Sequence, residues 1–115
     1  MRYLLMICDE EAAEAKLSHD DMMAMMAGYA QFAEEMNARN ILRDGNRLHP
    51  TSDATTVRVR NSEILSTDGP FAETKEQMGG YYIIDVADLD EAIAVAAKIP
   101  GAQSGSIEIR PIWEM

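Results

Sequence analysis

The residues best suited to chemistry in this 115-residue chain lie between His49 and Tyr81. Arg58 and Arg60 alternate with Val57 and Val59, so both guanidinium groups share one strand face, where such forks could clamp a carboxylate bidentately. Charges that guard an exposed strand edge would look the same; Arg58, nearer the middle of the run, is the better binding candidate. Asp68 precedes Gly69-Pro70 and could serve as a general base or polar anchor. Its simpler use is to accept backbone hydrogen bonds that fix the turn. Phe71 is an aromatic anchor in an otherwise polar stretch. Glu73, Lys75 and Glu76 follow, and Lys75 could reach a ligand carboxylate, or the run could pair with Arg58 and Arg60. As a solvated charge run it would contribute only about 0–1 kcal/mol per pair. His49 can titrate near neutral pH, although no partner for it is visible in the sequence, and His19 should face solvent. Tyr81, where the next strand begins, is a further binding candidate.

Several chemistries find no support. Two histidines so placed do not make a metal site, and no cysteine or carboxylate spacing completes one. Cys8 ends an apolar run and reads as a small hydrophobe rather than a nucleophile. No phosphate-binding glycine loop, dinucleotide fingerprint or G-x-S-x-G sequence is present. Neither a metal nor a cofactor is expected.

The elements that must position these residues follow from periodicity. Tyr3 to Cys8 is apolar on both faces, as a central strand requires. Asp9 to Lys16 reads as a solvated connection or an extra helical turn. Ser18 with Asp21 offers a variant capping box, and Met22, Met26, Tyr29, Ala33 and Met36 then recur as one helical stripe, widened by Met25 and Phe32. That spacing predicts core packing for Met22 and Met26, with the helix ending near residues 37–40. Asp44-Gly45 is a turn signal, so any strand there should be short. Thr55 to Arg60 and Glu63 to Thr67 predict a hairpin through Asn61-Ser62. Asp68 to Gln77 reads as a polar loop, and Gly79-Gly80 opens a strand at Tyr81 to Val86. Asp88 with Glu91 caps a second helix, which Pro100-Gly101 stops, and Ser106 to Trp113 is the last strand. The order predicts a single α+β domain, a ferredoxin-like antiparallel sheet with two helices on one face. Two helices leave the second apolar face bare, which predicts a homodimer formed through the sheet faces.

Composition bounds the partners. Ten basic residues against twenty acidic ones give a net charge of −10, the wrong sign for nucleic-acid binding. The acids gather in residues 9–21 (net −5) and 85–91 (net −4), while residues 39–60 carry net +3, leaving room for a small anion beside the arginines. One cysteine cannot form an intrachain disulfide, and the Tyr3–Cys8 run is too short to cross a membrane. A cytoplasmic location is the expectation.

The stretch Thr67 to Tyr82, reading TDGPFAETKEQMGGYY, closely resembles the DGPF motif of the YCII-related protein family. The likeness extends upstream through Ala54 to Arg58 and downstream to Arg110-Pro111, nearly the whole chain. The resemblance implies a ferredoxin-like domain that dimerises into an α+β barrel. The wider superfamily includes cofactor-free muconolactone isomerases, a related dehalogenase and small monooxygenases. Better-known relatives carry a His–Asp pair proposed for acid–base work; some members of the DGPF branch are encoded beside extracytoplasmic-function sigma factors. In the branch pattern the segment reading Leu48-His49-Pro50-Thr51 here often has no histidine, which makes His49 a poor family-wide base. Two functional readings result. In the first, a dimer binds a small polar or anionic molecule beside the DGPF loop, with Asp68 available for isomerase- or lyase-like proton transfer and Arg58 and Lys75 orienting the ligand. In the second, the chain is a non-enzymatic interaction or regulatory module linked to a sigma factor.

Overall fold

The apolar N-terminal run lies at the centre of β1 (Arg2–Asp9) in the computed structural model, which describes residues 1–115. Two antiparallel neighbours flank β1, β5 (Gln77–Asp85) and β6 (Ser106–Pro111), and β2 (Leu42–Arg47) pairs with the far edge of β5. The order β2-β5-β1-β6, with α2 (His19–Ala38) and α3 (Leu89–Ala96) between strands, is the expected ferredoxin-like α+β arrangement. A third, four-residue helix, α1 (Glu11–Glu14), supplies the extra turn after β1.

Both long helices begin where their capping residues stand. Ser18 Oγ accepts from the Asp21 amide and Asp88 from the Glu91 amide. α2 ends in a Schellman motif: Asn40 adopts φ 57° while its amide donates to Asn37 and that of Ile41 to Met36. Asparagine tolerates that left-handed conformation, which closes the helix and turns the chain into β2.

The register assigns every strand residue to a face. Tyr3 pairs with Ile84 and Leu5 with both Tyr82 and Ile109. These side chains meet Phe32 and Met36 of α2 and Ala92, Val95 and Ala96 of α3 in one core. Leu4, Met6, Tyr81 and Ile83 occupy the opposite face, half-buried by one another, with no helix over them. The sequence left open which of the pairs Tyr81/Ile83 and Tyr82/Ile84 meets the helices; it is Tyr82 and Ile84.

Two expectations are corrected. Asp44-Gly45 does not turn the chain; β2 runs straight through it, with a register shift between Leu42 and Asp44 and with Gly45 against the ring of Tyr82. A side chain at Gly45 would collide with that ring, so glycine serves close approach here rather than a turn. Met22 and Met26 are not core residues, because only Phe32 and Met36 of α2 are buried. The first turns of α2 overhang a stretch of sheet that carries glycines, so nothing rises to meet the methionines.

The hairpin forms as predicted but stands apart. β3 (Thr55–Arg60) and β4 (Glu63–Asp68) make their own two-stranded sheet, joined at the tip by Asn61 and Ser62 with φ 50° and 64°. Two positive φ values make the type I′ turn that a two-residue hairpin loop needs. This arm projects from the domain: the Cα radius of gyration is 16.1 Å, against roughly 13 Å for a compact chain of this size.

Exposed ion pairs stitch the helical layer. Lys98 Nζ lies 2.9 and 3.0 Å from the two oxygens of Glu35, whose carboxyl is held below its ordinary range first by that hydrogen bond. A depressed carboxyl contributes stability above the unfolded pKa and loses it as pH falls through the folded one. Acid titration is therefore expected to destabilise wild type more than Glu35→Gln below about pH 4.5. Parallel losses in denaturant midpoints measured from pH 6 to pH 2.5 would contradict this.

Candidate functional site

A cleft of about 550 Å³ opens where α2 overhangs the sheet. Its roof is Met22, Met25, Met26, Tyr29 and Ala33 of α2; its floor and edge come from Gly45, Asn46 and Arg47 of β2 and Gly79, Gly80 and Tyr82 of β5. The hollow exists because Gly45 and Gly80 present no side chain to the helix face. An added Cβ at Gly45 would lie 2.5 Å from the Tyr82 ring, and one at Gly80 2.9 Å from the Asn46 carbonyl oxygen.

The polar groups in the cleft are tyrosine hydroxyls and ion pairs. Burial pushes the hydroxyls of Tyr29 and Tyr82 above the ordinary phenol range, so both remain protonated donors at neutral pH. The Tyr82 ring packs on Phe32, with centroids 4.9 Å apart. Arg47 reaches Glu14 at 3.0 Å, linking the β2 edge to α1 at the cleft margin, and Arg43 lies 3.7 Å from Asp85. Asp9, Glu14 and Asp44 also line the cleft. The His, Cys, Asp and Glu side chains form no group of three suited to a metal ion.

The YCII-related domain family matches residues 1–115, the full length of the chain. The chain belongs to the YCII-related family. A similar protein is an uncharacterized one from Rhizobium meliloti (strain 1021), 35% identical over 114 residues that cover 97% of this chain and 92% of that one.

Within this YCII-related domain, the residues singled out from sequence fall in several places. Asp68 closes β4, where it pairs with Thr55, while Arg58 pairs with Leu65. Alternation along the ribbon puts Asp68 and Arg58 on opposite faces of the arm, so one chain does not bring them together. Gly69, at φ 100°, receives the chain leaving the arm; its amide donates to Ala54 O at 2.6 Å and its carbonyl accepts from Thr56 Oγ1 at 2.9 Å. The motif is thus the neck of the arm. Phe71 is 79% exposed and does not anchor the loop within one chain. Glu73 is exposed, and Lys75 lines a smaller hollow of about 240 Å³ that shares Asp9, Glu14 and Met25 with the cleft. His49 Nδ1 lies 3.3 Å from Asp53 Oδ2, and both side chains are exposed. Of the predicted site residues, only Tyr81 borders the cleft, and its side chain lies on the open sheet face, where the hydroxyl accepts from Asn46 at 2.9 Å and donates to Asp44 at 3.3 Å.

The cleft residues that sequence reading missed are Met25, Tyr29, Gly45, Arg47 and Tyr82. Their signal is a helix turn rich in methionine facing glycines on two neighbouring strands. Only the strand register brings those glycines together.

Proposed function

We propose that this YCII-related protein is a cytoplasmic homodimer of the DGPF branch that binds a small organic molecule bearing a polar or anionic group in the cleft beneath α2. The cleft itself carries the reading, since its volume of about 550 Å³ falls in the range typical of ligand sites, roughly 300–1,000 Å³. An apolar body would lie along Met22, Met25 and Met26, whose flexible thioethers adapt to varied shapes. The hydroxyls of Tyr29 and Tyr82 would donate to the polar end, and an anionic group would meet Arg43 or Arg47 in competition with their carboxylate partners. Cofactor-free proton transfer in the cleft would fall to Asp9 or Glu14, because Asp68 stands at the arm neck outside the lining and Asp44 points to the open sheet face, where it accepts from Tyr81. Association through the sheets is supported by the open face of Leu4, Met6, Tyr81 and Ile83, an apolar surface of the kind monomers seldom leave bare. DGPF-branch membership is supported by the sequence of the neck and the strand that follows it.

A thermal-shift screen across metabolite classes tests the cleft, with wild type set beside Met25→Trp, which narrows it. A ligand at about 100 times its Kd stabilises by about 2.7 kcal/mol, several degrees in Tm for a domain this small. Wild type is expected to show that rise with at least one class and Met25→Trp to lose it. Absence of any rise, or equal rises in both proteins, would refute ligand binding in the cleft and favour an interaction module.

A further inference from the structure

The β3–β4 arm is a ribbon with two unlike faces. Register puts Val57, Val59 and Ile64 on one face, with Val59 directly opposite Ile64. These three side chains are 60%, 57% and 77% exposed. Arg58, Arg60 and Glu63 lie on the other face. An isolated two-stranded ribbon is marginal in water, and nothing in its own chain covers this apolar face. Yet the arm is held firmly at its base: Gly69 bonds to Ala54 and Thr56 across the neck, and Thr51, just before it, donates to both carboxylate oxygens of Glu11 at 2.8 and 2.9 Å. The ribbon is presented outward.

We infer that the arm reaches across to a second copy of this chain and lays Val57, Val59 and Ile64 against it, at the margin of that copy's open sheet face. The inference rests on the dimer reading above and extends it. The area that a stable dimer needs selects this occupant. Four strands about 4.8 Å apart and about 20 Å long offer a footprint of roughly 400 Å², half the ~800 Å² per partner of a standard interface. An arm of about 10 by 20 Å covers about 200 Å² of its partner and hides as much of itself, bringing each copy to about 800 Å². Two-fold symmetry makes the exchange mutual, each open face gaining the arm that its own chain holds away.

Light scattering and amide hydrogen exchange on the full chain, compared with Val59→Asp/Ile64→Asp, test the inference. Both substitutions fall on exposed side chains, so the domain should keep its circular dichroism; Leu65→Asp, on the opposite arm face, is the control. Wild type and Leu65→Asp are expected to be dimers at micromolar concentration. The double variant is expected to dissociate at least tenfold more readily, with arm amides at residues 55–68 losing protection on dilution. A double variant that dimerises as tightly as wild type would overturn the arm inference while leaving the dimer standing. A monomeric wild type would overturn both. Should the double variant lose its circular dichroism, exchange on wild type alone decides: arm protection that does not change with dilution counts against the inference.

Discussion

Truncating Ile84 to alanine is expected to remove about 2–5 kcal/mol of stability, a large part of the roughly 5–15 kcal/mol that holds a domain together. Ile84 is fully buried in β5, paired with Tyr3 of β1 and Leu42 of β2. It thus joins three of the four strands of the sheet beneath the helices. Shortening it forfeits the transfer free energy of the lost methyl and methylene groups and leaves a cavity that neighbouring strands cannot close without breaking register. Urea titration should show a lower midpoint with an unchanged slope. A loss under about 1 kcal/mol would mean that the core tolerates collapse at this site.

Gly45→Val gives the second large effect, and its sign runs against propensity. Valine is favoured over glycine in a strand, and β2 is an exposed edge, so local preference predicts a gain. The structure predicts a loss of about 1–3 kcal/mol, the usual consequence of overpacking. The new Cβ would stand 2.5 Å from one ring carbon of Tyr82 and 2.8 Å from the next. Tyr82 is also packed against Phe32, so its ring must swing into the cleft or β2 must peel from β5. Either outcome changes the cleft, and ligand-dependent stabilisation should disappear with the drop in Tm. A variant as stable as wild type with unchanged ligand response would show that the ring moves freely.

The sequence carried the sheet, the caps and the element order because those depend on local pattern. Tyr3 to Cys8 is apolar on both faces, the mark of a central strand, and Ser18 and Asp88 mark helix starts by their own hydrogen bonds. Asp44-Gly45 was misleading because the same dipeptide serves a turn and a close approach; a ring from β5, distant in sequence, decides between them. The alternation from Thr55 to Arg60 announces a strand but not whether it joins the main sheet. The Met22–Met26 stripe looks like core until the glycines beneath it are placed. Asp68 and Arg58 are neighbours in the motif's frame, yet a period of two over an antiparallel register sends them to opposite faces. The candidate cleft was therefore nearly invisible in the sequence, since its defining property is missing side chains on two strands joined only by the fold.

The neck of the arm has a consequence for how this chain can change over evolutionary time. Ala54 and Gly69 lie within one hydrogen bond of each other, 2.6 Å from oxygen to nitrogen. The fourteen residues between them begin and end at nearly one point in space, and they contribute nothing to the buried core. A segment with that closure behaves as a cassette: it can be lengthened, trimmed or excised and the ends rejoined with little loop-closure penalty. Relatives of this chain are thus free to vary the arm's length and chemistry without renegotiating the fold, and a shortened arm should leave a folded domain with a different taste in partners.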